Sequence, residues 1–137
     1  MYSLDDLKKQ NQDIASLCDV LSVLIKHQSL HGNPYVRELM SQFREKVWMH
    51  LVFEDNTIYA ELARHHNPGI SETAREFHDS ARALRKCFSG YVKSWCVPVI
   101  DDQRHQELVA QSDEIFALIR ERIRYENEHI FPLIAED

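Results

Sequence analysis

The chain has 137 residues, 44% hydrophobic and 28% charged, with only 3 glycines and 4 prolines. That makeup excludes a linker or disordered tail and predicts one domain spanning residues 1–137, while so few turn formers exclude an all-β sandwich or barrel, which needs a turn about every 8–12 residues. A formal charge of -6 disfavours nucleic acid and an anionic membrane as partners, and no basic tract offsets it.

The first ten residues carry Asp5 and Asp6 where a secretion signal would have a basic and then apolar stretch. No apolar run is long enough to span a bilayer, so a cytoplasmic protein is expected. Cys18, Cys87 and Cys96 cannot all pair within one chain and show no C-x-x-C spacing, which predicts reduced thiols.

Breaks at His31-Gly32-Asn33-Pro34, Asn67-Pro68-Gly69 and Val97-Pro98 divide the chain into four helical segments of about thirty residues. The first carries Leu4, Leu7, Asn11, Ile14, Cys18, Leu21 and Ile25 at alternating steps of three and four, the stripe of a helix packed in a bundle. The second, with Asn33 as N-cap and Pro34 just inside, carries Val36, Leu39, Phe43, Val47, His50, Glu54 and Ile58. The third, expected to be capped by Ser71 or Thr73, shows Ala74, His78, Ala81, Leu84, Phe88, Tyr91 and Trp95. The fourth, opened by Asp101 or Asp102, shows Leu108, Ser112, Ile115, Ile119, Arg122, Glu126, Ile130 and Leu133. Gly90 weakens the third helix without ending it, and Pro132 kinks or finishes the fourth. Short connections make neighbours antiparallel, so the expected fold is all-α, an up-down-up-down four-helix bundle.

Each stripe is interrupted by polar residues, and their heights can be compared. Asn11 lies about 20 residues before its turn, His50 and Glu54 about 16 to 20 after it, His78 about 19 before Pro98, and Arg122 and Glu126 about 21 to 25 beyond it; at 1.5 Å per residue these agree within about one to two turns. Six polar residues are therefore expected in one layer. A weak internal repeat points to the same level, since Phe53-Glu54-Asp55-x-x-Ile58-Tyr59 matches Tyr125-Glu126-Asn127-x-x-Ile130-Phe131.

His50 and Glu54, four apart, project from one helix face, and His78 and Glu126 approach from two other helices. Two imidazoles and two carboxylates in a bundle core suit iron, manganese or zinc, which nominates His50, Glu54, His78 and Glu126 as metal ligands. The other histidines have plainer readings. His27 and His31 end the first helix, His65 and His66 end the second, and His105 begins the fourth, positions where surface or helix-terminal histidines are common. Trp48, Tyr91 and Trp95 are read as core or half-buried packing residues.

With those residues in view, the chain resembles the hemerythrin-like, or HHE cation-binding, family of four-helix bundles along almost its whole length. The resemblance implies two irons bridged by carboxylates, with a histidine and a carboxylate four residues later on helices two and four, and a histidine on each of helices one and three. His50-Leu51-Val52-Phe53-Glu54 is similar to the helix-two motif, Glu126 with Ile130-Phe131-Pro132 to the end of the helix-four motif, and His78 to the helix-three ligand. Asn11 and Arg122 stand where the resemblance implies histidines.

Those two departures argue against a full di-iron site. Glu54 and Glu126 bring two negative charges and Arg122 one positive, so two divalent ions would leave about three uncompensated charges and one ion about one, within reach of a hydroxide. Without metal, Arg122 bridging both glutamates beside a protonated histidine also balances the layer. The resemblance thus implies a degenerate core site with at most one non-heme iron per chain, serving in metal, dioxygen or redox binding or sensing; zinc or manganese also suits the donors. The alternative is a metal-free regulatory or protein-interaction bundle whose polar layer is a structural ion-pair network. An enzyme is the weakest reading, because no nucleophile, cofactor loop or substrate motif accompanies the ligands.

Overall fold

Two acids in the first helical turn, a proline at a second helix start and side-chain caps at two others set where the helices begin. The computed structural model describes residues 4–54, 58–95 and 100–135, with Glu54 and Ala135 described at the backbone only. Helix α1 (Leu4–Leu24) opens with Asp5 and Asp6 and buries Leu7, Asn11, Ile14, Cys18 and Leu21, the expected stripe. A single 3₁₀ turn (Gln28–Leu30) follows, and Gly32 takes φ 85°, a left-handed conformation that a side chain would strain. Asn33 then caps α2 (Pro34–Glu54), its Oδ1 accepting the Tyr35 amide at 2.9 Å. Beyond it, Ile58 and Tyr59 lie in a π turn that leads into the short α3 (Ala60–Leu62).

Helix α4 (Pro68–Ser94) begins earlier than Ser71 or Thr73 would place it. Its cap is Asn67, whose Oδ1 accepts the Gly69 amide at 2.9 Å, with Pro68 in the first turn where its missing N–H costs nothing. Ser71 and Thr73 instead turn their hydroxyls back onto the carbonyls of Pro68 and Gly69 inside the helix. Gly90 is passed without a break. Of the two acids offered for α5 (Asp102–Tyr125), Asp101 is the cap, accepting the Arg104 amide at 2.7 Å.

The fourth segment does not simply stop at Pro132. It widens into a π turn over Glu126–Ile130, where the Phe131 amide reaches back five residues to the Glu126 carbonyl, and then resumes as α6 (Phe131–Ala135). A proline clashes with the carbonyl four residues before it, and a wider turn relieves that clash without ending the helix. The second and fourth segments, which share the repeated motif, therefore share a π turn after its glutamate.

Helix α1 packs on α2 and α5, and α4 packs on α5 and α2. Moving back along α1 means moving forward along α5: His105 Nε2 donates to the Ile25 carbonyl at 2.8 Å, Arg120 pairs with Asp19 at 2.8 Å, and Asn11 reaches Glu126. The apolar interior falls into two clusters. One holds Ile14 to Ile25 of the first segment, Met40 to Leu51 of α2, Ala81 to Tyr91 of α4 and Leu108 to Ile119 of α5, with Phe43 edge-on to Phe88 and Phe116. The other holds Leu7, Ile58, Tyr59, Leu62, Ala74, Ile130 and Phe131. Trp48 departs from its expected packing role, being 47% exposed on α2.

Candidate metal centre

On all four long segments the gap between the two apolar clusters falls at the polar residues. Asn11 separates Leu7 from Ile14 on α1, and His78 separates Ala74 from Ala81 on α4. On the second segment the passage from Leu51 to Ile58 starts one residue after His50 and contains Glu54, and Arg122 and Glu126 fall in the interval between Ile119 and Ile130.

Burial makes this layer costly unless its groups satisfy one another. Asn11 and Glu126 are each 1% exposed, His50 5% and Arg122 8%. Glu126 Oε1 is the meeting point: Asn11 Nδ2 donates to it at 3.4 Å, and His50 Nε2 lies 3.3 Å away. The other imidazole nitrogen, Nδ1, sits 2.7 Å from Gln10 Oε1, so Gln10 occupies the outer edge of the ring and leaves Nε2 turned to the interior. Sequence periodicity gave no sign of Gln10, because it lies one position off the buried stripe and acts through a partner on another helix. A cleft of about 220 Å³ between α1 and α2, lined by Gln10, Asp13, Lys46, Met49, His50 and Phe53, reaches this edge of the ring from solvent.

Arg122 forms the second half of the layer. Its guanidinium lies over the Phe77 ring at 3.9 Å and donates to Tyr59 Oη at 3.0 Å and Ser80 Oγ at 3.1 Å. A cation on an aromatic face, fixed by two hydroxyls, is firmly oriented. His78, half-buried, packs edge-on against the same Tyr59 with ring centroids 6.0 Å apart. Of the four nominated ligands, the structure thus brings His50 and Glu126 together and puts His78 beside the tyrosine that holds Arg122. The Glu54 side chain lies outside the described residues.

A match to the family model described as Hemerythrin HHE cation binding domain covers residues 3–134. The chain belongs to the hemerythrin HHE cation-binding family. No curated protein and no solved structure matches it significantly.

Membership in the HHE family implies a bound metal ion, so the donor set must be asked whether it fits one. Among the described residues no group of three or more His, Cys, Asp and Glu side chains is placed to hold an ion. The Asn11 side of the layer nevertheless offers an imidazole nitrogen, a carboxylate and an amide, and Asn11 Oδ1 is buried with no hydrogen-bond partner among the described residues. One ion fits there. The Arg122 side presents a guanidinium, which has no lone pair to give and carries the wrong charge for a second ion.

The remaining titratable groups read as structural. His65 Nδ1 accepts the Asn67 amide at the start of α4, and His31 stacks on Trp95 at 5.5 Å. Burial pushes the Cys18 thiol up to about 12, which leaves it an inert small hydrophobe, and Cys87 is exposed and unpaired. Cys96 lies outside the described residues. Burial also raises the Tyr91 hydroxyl, which is held by Ser112 Oγ at 2.7 Å. No helix among the described residues is long and apolar enough to cross a membrane.

Proposed function

We propose that this HHE domain binds a single divalent transition-metal ion per chain, iron in the first place, in a degenerate version of the family site, and acts in metal, dioxygen or redox sensing rather than turnover. His50, Glu54, His78 and Glu126 are the proposed ligands, within four long segments running up-down-up-down, in a cytoplasmic protein. The observation that carries this reading is the split of the apolar core, on all four segments, at the level of the polar residues. Polar residues in a layer this buried cost stability, and binding an ion is a function that repays it. His50 Nε2 and Glu126 would hold the ion, which would supply a redox-active centre and an open position for a small ligand.

One specific observation favours a metal-free regulatory bundle as a second reading. Arg122 is already fixed by Tyr59, Ser80 and Phe77, as a structural layer would require. Metal analysis of protein purified without chelator and loaded anaerobically with ferrous iron separates the two. The proposal expects up to one ion per chain, lost in His50→Ala and Glu126→Ala. An unloaded parent protein, with no change in melting temperature on addition of iron, manganese or zinc, would leave only the structural network.

A further inference from the structure

Asn11 stands where the resemblance implies a histidine, and its replacement reads as a lost ligand. The geometry around it suits another role. Asn11 is 1% exposed in the middle of the layer, its Nδ2 is 3.4 Å from the carboxylate oxygen that also lies 3.3 Å from His50 Nε2, and its Oδ1 is buried with no hydrogen-bond partner among the described residues. A buried acceptor without a donor is costly, and a residue that only filled space there would be apolar.

We propose that Asn11 is a metal ligand through its amide oxygen, so that the site adds an amide oxygen, rather than a further imidazole, to its imidazole and carboxylate donors and is tuned toward manganese or ferrous iron relative to zinc. This inference rests on the metal-binding reading above.

Two points of chemistry support it. Donors about 2.1 Å from one ion, at angles between octahedral and tetrahedral, lie about 3.0 to 3.4 Å from each other. The 3.3 Å between His50 Nε2 and Glu126 Oε1 falls in that range, and Asn11 Oδ1 would come to about the same separation on taking the place of Nδ2, which lies 3.4 Å from that oxygen. A half-turn about the terminal torsion of an asparagine, which is broad and nearly two-fold, exchanges Nδ2 and Oδ1 at little cost. Asn11 can therefore donate to the glutamate in the metal-free protein and present its oxygen when an ion takes the place of that hydrogen bond. Nothing covalent need change. Amide and carboxylate oxygens favour manganese and other hard ions, whereas a second imidazole at this position would favour zinc.

The test titrates manganese(II) and zinc(II) separately into the metal-free full chain, following manganese by its electron paramagnetic resonance and zinc by competition with a chromophoric chelator. Asn11→Leu should weaken manganese binding at least tenfold while its metal-free melting temperature equals or exceeds the parent's, because the buried amide is gone. Asn11→Asp should keep or strengthen manganese binding. Asn11→His should raise zinc affinity relative to manganese by at least tenfold, because an imidazole then stands in place of the amide oxygen. If the parent binds manganese and all three variants bind both ions as the parent does, Asn11 is not a ligand and this inference falls alone. A parent that binds neither ion overturns the metal-binding reading itself. Should Asn11→Leu fail to fold, Asn11→Ala, which also removes the amide oxygen, decides the matter: manganese binding weakened at least tenfold supports the inference, and manganese binding equal to the parent's overturns it.

Discussion

Arginine in the interior of a small bundle is expensive, and Arg122 shows how a single side chain is made tolerable there. Its charge is spread over a planar group laid on Phe77, and two of its N–H groups meet the hydroxyls of Tyr59 and Ser80. Truncation to alanine would remove that packing, leave a cavity and strip the Tyr59 hydroxyl of its donor. Arg122→Ala is therefore expected to destabilise the metal-free protein by about 3 kcal/mol in urea unfolding, with Arg122→Leu costing less because its side chain refills part of the space. Equal and negligible effects of the two would mean that in solution the guanidinium is hydrated rather than buried in the layer. Sequence reasoning placed Arg122 in the layer and gave it glutamates as partners. Tyr59 and Ser80 were missed because periodicity reports which face a residue lies on, not which hydroxyl on another helix a long side chain will reach.

At the scale of the element, most of the fold was legible because it rests on repetition. The stripes on α1, α4 and α5 recur as buried faces with few changes, since helical spacing converts directly into position on a cylinder. Local chemistry was harder to read. Ser71, Thr73 and Asn67 are all good capping residues, and Asn67 wins because Pro68 is suited to the first helical turn and Asn67 takes the extended conformation before it. Asn67→Ala should cost about 1 kcal/mol, whereas Thr73→Ala, within the helix, should change stability by less than about 0.5 kcal/mol. Gly90 makes the complementary case. An added Cβ would meet nothing within 4 Å, so Gly90→Ala should stabilise the protein by about 0.5–1 kcal/mol through helix propensity alone. A melting temperature that falls on this change would show that α4 needs to bend there. The π turns were not legible at all, because they arise from how Pro132 and the repeated motif are accommodated in three dimensions and leave no mark on the spacing before them.

Among the described residues the bundle's interior is interrupted once, and on the proposed reading that interruption sets how many ions it accepts. On the Asn11 side stand neutral or negative donors; on the Arg122 side stands a fixed cation. On the proposed reading one divalent ion is electrostatically acceptable and a second would be opposed by the guanidinium. If that is the whole obstacle, exchanging two residues should remove it. Asn11→His with Arg122→His supplies two imidazoles, deletes one positive charge and leaves the hydroxyls of Tyr59 and Ser80 able to turn to other partners. The double variant, loaded anaerobically with ferrous iron, should approach two ions per chain where the parent is expected to hold at most one, and its melting temperature should rise on loading by mass action. Arg122→His alone should recover part of this gain, because it both opens the space and adds a ligand, while Asn11→His alone should not raise the stoichiometry above one. Neutralising Glu126 in the double variant should abolish the second ion together with the first, since the resemblance implies that this carboxylate bridges the two ions. A double variant that folds with its helices intact yet takes up no more iron than the parent would mean that charge and missing imidazoles do not set the stoichiometry. The limit would then lie in the spacing of the helices themselves.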